Sequence, residues 1–391
     1  MGFRSGLVSL RDATAIAGVG QTEFAKSLDR SEKRLALEAI KLALDDAAID
    51  PGEVDGLASY TLETTEEVEI ARNLGLGDIT FFSQVGYGGG AGCGVVGHAA
   101  MAVATGQCSV AVAWRSRKRG AAASRPWSQV PDRVRGSHQW TRPFGLLRPV
   151  DEIAMLTRRY LHEYGGTREQ LASVAVSVRE HANRNPGAMM HSKPLTTEQY
   201  LDARWISEPL CLYDNCLESD GAGAVVITSV ERARDCPTTP VLVHAFAQSI
   251  PQQHQTMTNY FGEDPLRGPA WACAERLWAN SELTPADVDV AQLYDAFSPL
   301  VPLSLEGYGF VKRGEGLGFC ADGGLKLGGA LPTNTSGAGM SEAYVHGFNL
   351  VVEGARQLRG ESHSQVAGAQ ACLVTSGEGV PTSALLLRSD G

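Results

Sequence analysis

The chain has no long apolar run. None of its hydrophobic stretches reaches the roughly 20 residues that cross a bilayer, and its N-terminus lacks the basic, apolar, small-residue order of a secretory leader, so a cytoplasmic protein is expected. Its eight cysteines include no CxxC pair and its nine histidines no HxH or HxxxH spacing, so no metal site is expected. Positive charge is scarce: 34 Lys and Arg against 44 Asp and Glu leave a net charge of −10, which argues against general nucleic-acid binding. The 44 glycines follow no period, which excludes a collagen-like chain.

What is present is a 391-residue, 43% hydrophobic chain that can bury a large core, with one unusual turn. Gly86-Tyr87-Gly88-Gly89-Gly90-Ala91-Gly92-Cys93-Gly94 follows a β-like run and opens an apolar helix reaching about Thr105. Such a turn brings helix-terminal amides close to a ligand, where they stabilise negative charge. Strand-turn-helix corners of this kind commonly carry Ser or Cys at the tip. Here the tip is glycine, and Cys93, about one helical turn further on, reads as a buried thiol.

The charge balance reverses only between Arg115 and Arg148. Nine basic residues there (Arg115, Arg117, Lys118, Arg119, Arg125, Arg133, Arg135, Arg142 and Arg148) face one acid, Asp132. The segment is either a solvated loop or a site for a phosphorylated ligand or an acidic partner surface. Trp127, Trp140 and Phe144 within it favour an ordered, contacting loop.

The chain also repeats itself. Residues 48–60, ending in Tyr60, match residues 282–294, ending in Tyr294, at a constant offset. Both copies follow an amphipathic helix (33–48 and 269–281) and pass through Pro and Val-Asp into a strand. Gly90-Ala91-Gly92 and Gly337-Ala338-Gly339 then each precede a helix and an apolar strand (109–114 and 370–375). Two βαβ-type halves about a pseudo-twofold axis are expected. Residues 1–114 with 211–230 form the first, 115–210 an inserted cap with helices at 151–164 and 167–184, and 231–391 the second.

Tyr294-Asp295-Ala296-Phe297 ends the repeated strand, and its tyrosine either closes the core or faces a cleft. Tyr344 and His346 follow the second glycine turn; Tyr344 is the better placed for a cleft and His346 for packing. Thr375-Ser376-Gly377-Glu378-Gly379 is a turn between apolar strands, either a plain hairpin or a source of amides. Asp214 to Cys216 suggests only loop capping.

In this order the elements resemble the thiolase superfamily, in particular its sterol-carrier-protein and lipid-transfer-protein branch, from Ala15-Ile16-Ala17-Gly18-Val19-Gly20 to Leu385-Leu386-Leu387. The resemblance implies an α/β thiolase fold: two pseudo-twofold related halves forming a layered α-β-α-β-α core with an inserted loop region. In thiolases the first glycine turn carries the acyl-accepting Cys, and the matching position here is Gly89. Tyr294 stands where thiolases have Asn or His, and Tyr344 where they have the His of a Gly-His-Pro motif. A second catalytic Cys is also missing from Val374-Thr375-Ser376-Gly377.

Without the nucleophile, acyl transfer through an acyl-enzyme loses its support. Two tyrosines suit retro-aldol chemistry instead, one taking the proton of a β-hydroxyl while the other or a water protonates the acyl-CoA enolate. Ionising a tyrosine of ordinary pKa about 10 at pH 7 costs roughly 4 kcal/mol, which the surroundings must offset. Within the branch the motifs resemble actinobacterial steroid side-chain aldolases, which implies release of propionyl-CoA and a 17-ketosteroid from a steroid acyl-CoA. The catalytic pair is then Tyr294 and Tyr344, with Gly89, Gly90, Gly337 and Gly377 lining the substrate and no cofactor beyond the CoA of the substrate. The partners implied are a second copy through the core sheet and the OB-fold/zinc-ribbon domain of a hot-dog-fold enoyl-CoA hydratase. Two alternatives stay open: a non-catalytic lipid or acyl-CoA binding subunit, and a thiolase using Cys93.

Overall fold

The computed structural model describes residues 9–391 apart from positions 62, 120–133, 137, 253–256, 258–259, 261 and 380. The expected basic and aromatic residues Arg125, Arg133 and Trp127 therefore lie outside the described residues.

Eleven strands occur among the described residues: β1 (Thr14–Gln21), β2 (Gly56–Tyr60), β3 (Phe81–Val85), β4 (Val110–Arg117), β5 (Trp205–Ser207), β6 (Leu210–Cys211), β7 (Gly221–Ser229), β8 (Val241–Ser249), β9 (Val290–Gln292), β10 (Ala371–Ser376) and β11 (Thr382–Ser389). Strands β5 and β6 form a separate hairpin, and the other nine form one sheet in the order β3-β2-β4-β7-β1-β8-β11-β10-β9. The two halves of that sheet meet where β1 pairs with β8 through Ala15 opposite Leu242 and Ile16 opposite Val241.

Alternation along the strands decides what each face covers. Ala15, Ala17, Leu57, Val110, Val112 and Val226 share a core with helix Glu32–Ala47. Ile16, Ala58, Ala111, Val225 and Ile227 point the other way, into the main core. There helices Gly92–Ala104 and Phe348–Arg359 pack against strands of both halves, and helix Pro269–Ala279 packs on β8 and β11. The result is the layered α/β arrangement.

The sequence repeat has a local cause. Asp50-Pro51-Gly52-Glu53 and Thr284-Pro285-Ala286-Asp287 each make a single helical turn with Pro at its start, closed by a capping box whose acidic side chain accepts from the backbone N–H of the residue before the Pro. Buried Val54 and Val288 then lead into β2 and β9. Tyr60 and Tyr294 follow at equivalent distances.

Two expectations change. The strand placed at 109–114 runs on to Arg117, so Arg115 and Arg117 are buried sheet residues and no part of a solvated loop. After Gly337 the chain makes one wide turn (Ala338–Glu342), and its helix starts only at Phe348. No described helix is long and apolar enough to cross a membrane.

Candidate active site

The glycine turn leaves β3 through Tyr87 and Gly88, both at positive φ (72° and 51°), and makes one tight turn before the helix starts at Gly92. Neighbouring strands occupy several of its polar groups. The Gly90 carbonyl accepts from Ser383 Oγ (2.7 Å), and Ser376 Oγ accepts the Cys93 amide (2.7 Å). Gly90's own amide is closed onto the Tyr87 carbonyl at 3.0 Å. Cys93 is buried with Sγ directed at the Val374 carbonyl (3.3 Å), and burial pushes its thiol up to about 12, away from nucleophilic use.

At the tip the second half of the chain has moved in. A Cβ placed on Gly89 would lie 1.8 Å from Tyr294 Oη, so a side chain at 89 and the Tyr294 phenol exclude each other. The Tyr294 hydroxyl is hydrogen-bonded directly to the Tyr344 hydroxyl. Asp295, next along the chain, accepts the amides of Gly339 (2.7 Å) and Met340 (3.1 Å), which ties the end of the β9 segment to the turn that carries Tyr344. Tyr344 is fixed further by its own amide on Ser219 Oγ (2.7 Å).

Behind Tyr344 lies a buried basic group. Its ring meets that of His346 edge-on at 5.3 Å between centroids, and Arg119 Cζ lies 5.8 Å from its centroid. His346 Nδ1 is 2.6 Å from Arg115 Nη2, and His346 Nε2 is 2.5 Å from Arg119 Nη2. Burial and the neighbouring arginines hold His346 far below its ordinary pKa, so the ring is neutral. Burial pushes the Arg115 guanidinium down to about 10, which still leaves it charged at pH 7.

The two phenols are not equivalent. Burial raises both, but Arg119, Arg115 and the hydrogen bond with Tyr294 all favour the Tyr344 phenolate. For Tyr294 the neighbouring Tyr344 adds to burial in opposing ionisation, with Arg119 acting the other way. Tyr344 is therefore the easier of the two to ionise.

The structure thus brings Tyr294, Tyr344 and Gly89 together. Gly377 has φ of 35° in the turn between β10 and β11. Gly337, expected to line the substrate, serves the turn instead: its amide bonds the Asn334 carbonyl (3.0 Å), and a Cβ there would fall 2.6 Å from Ala182 Cβ. Arg115 and Arg119, expected only as members of a loop or an anion site, stand behind Tyr344, a placement the sequence analysis did not make. Asp214, read as a loop cap, does cap there, with its carboxylate accepting the Cys211 amide (2.7 Å) and the Tyr200 hydroxyl (2.6 Å). One described cluster has metal-ligand proximity, Asp12, His244 and Glu282. Its groups are already engaged: His244 bonds Asp12 (3.0 Å) and Ser281 (3.0 Å), and Glu282 pairs with Arg11 and Arg388.

The layered fold and the glycine corner define a thiolase-type protein, and comparison with known families agrees. Residues 14–231 match the thiolase N-terminal domain and residues 252–387 the thiolase C-terminal domain-like family; the chain belongs to the thiolase family. Over 389 residues it is 46% identical to the steroid side-chain-cleaving aldolase of Thermomonospora curvata, covering 97% of this chain and 99% of that one. It is also 46% identical over 384 residues to the 17-hydroxy-3-oxo-4-pregnene-20-carboxyl-CoA lyase of Mycobacterium tuberculosis (97% and 100% covered). A solved structure described as an Ltp2-ChsH2(DUF35) aldolase superposes with a TM-score of 0.92 at 45% identity, over 98% of this chain and 99% of that one.

Proposed function

We propose that this chain is a carbon–carbon lyase that cleaves the β-hydroxy acyl-CoA side chain of a steroid by a retro-aldol reaction, giving a 17-ketosteroid and propionyl-CoA. The observation that carries the reading is the direct Tyr294–Tyr344 hydrogen bond at a thiolase corner whose tip has no side chain, in a chain 46% identical to two lyases of this kind.

Tyr344, as phenolate, takes the proton of the steroid hydroxyl. The freed electron pair on oxygen forms the ketone, the Cα–Cβ bond breaks, and its pair becomes the enolate of the thioester. Tyr294 then protonates the enolate carbon. This leaves Tyr344 protonated and Tyr294 ionised, and one proton transfer along their mutual hydrogen bond restores the start. The reaction is redox-neutral, so no cofactor is proposed beyond the CoA of the substrate.

Partners are part of the proposal. β3 ends the sheet with Phe82 72% exposed, which suits pairing with the same strand of a second copy. Trp140 and Phe144 are 73% and 82% exposed, with Leu147 and Met155 also outward, which suits an OB-fold/zinc-ribbon domain of a hydratase subunit.

The test is to incubate the chain, alone and with such a partner, with 17-hydroxy-3-oxo-4-pregnene-20-carboxyl-CoA, and to measure both products by mass spectrometry. Equimolar ketosteroid and propionyl-CoA are expected. Tyr294→Phe and Tyr344→Phe should each lose about 10²–10⁴ in kcat while folding normally. No ketosteroid under either condition overturns the lyase and leaves an acyl-CoA binding subunit.

A further inference from the structure

His346 is held between two groups that can only donate hydrogen bonds. A neutral imidazole offers one lone pair and one N–H, whereas Arg115 and Arg119 present N–H groups to both ring nitrogens. His346 can therefore accept from one of them, and the set as a whole suits a neighbouring anion. All three are buried, at 0%, 2% and 1% exposure for Arg115, Arg119 and His346. His346 also adopts a φ of +55°, a conformation that persists where the surroundings fix it. Glu63, itself buried, lies 3.8 Å from Arg115 and offsets part of its charge. The set also meets the ring of Tyr344, with His346 edge-on to it at 5.3 Å and Arg119 Cζ 5.8 Å from its centroid.

We infer that Arg115, His346 and Arg119 form a buried cationic seat that stabilises the Tyr344 phenolate, with His346 spacing the two guanidinium groups; all three are positioning residues. This rests on reading Tyr344 as the base. At such separations in a protein interior a full charge changes an ionisation equilibrium between tenfold and about a hundredfold. The other titratable groups facing Tyr344 are Tyr294, Cys216 from the segment before β7, and Tyr60 from β2.

The test compares Arg119→Gln, which removes the charge, with Arg119→Lys, which keeps it. Two measurements are made: the pH dependence of kcat, and tyrosinate formation followed by ultraviolet absorbance without substrate. In Arg119→Gln activity should fall between tenfold and about a hundredfold at pH 7 and recover at alkaline pH. The tyrosinate transition that is missing in Tyr344→Phe should move to higher pH, while Arg119→Lys stays close to the wild type. A loss that is equal at every pH, or a tyrosinate transition that does not move, overturns the seat. Should Arg119→Gln not fold, His346→Asn is read in the same two ways. If the wild type cleaves no steroid thioester, the proposed activity fails, and the tyrosinate titration still judges the seat.

Discussion

The carboxylate of Asp295 accepts the amide of Gly339 at 2.7 Å, linking the strand end that carries Tyr294 to the turn that carries Tyr344. Burial raises this carboxyl from an ordinary 3.8 to about 7 against the opposing pull of the Met340 and Gly339 amides. Between those values the folded chain holds a proton that the unfolded chain has released, so stability falls as pH rises through the window and is unaffected below it. Glu342, lifted to about 7 by burial, adds in the same direction. Thermal unfolding of Asp295→Asn should show a shallower decline from pH 4 to 7 than the wild type. Identical slopes would refute the assignment.

Gly89→Ala drives a methyl group into the Tyr294 phenol. Overpacking of this kind costs about 1–3 kcal/mol, and displacing the hydroxyl should remove most activity. In a Tyr294→Ala background the same change should cost almost nothing. Denaturant unfolding of the four proteins in the cycle measures the coupling, and additive effects would show that the two residues do not compete for space.

Cys93→Ala should retain cleavage within a few fold, because its thiol is buried, raised to about 12 and bonded to the Val374 carbonyl. Abolished activity in a folded Cys93→Ala protein would restore a thiolase-like reading.

Phe82→Lys places a charge on the outer strand of the sheet, at a position 72% exposed. Light scattering should find the wild type as a dimer and this variant as a monomer. A dimer that survives the change would exclude pairing through β3.

Local structure was legible because its causes are local. The helix at Glu32–Ala47 follows from apolar residues every three to four positions, and the two Pro-initiated turns follow from capping boxes within four residues. Tyr294 and Tyr344 were found through the motifs they interrupt. For Arg115 and Arg119 the sequence left a solvated loop and an anion site both open, because nothing nearby in sequence reveals the partner: His346 lies 231 residues from Arg115. Gly337 was expected to line the substrate, but helix Arg168–Ala182, distant in sequence, packs against it.

The bare position at Gly89 also sets how turnover proceeds. With nothing there to hold an acyl group, both fragments of the cleaved substrate occupy the site together, and neither is parked on the enzyme while the other departs. Kinetics should accordingly show no initial burst of one product ahead of the other. The same residues, supplied with ketone and acyl-CoA, are equally able to join them.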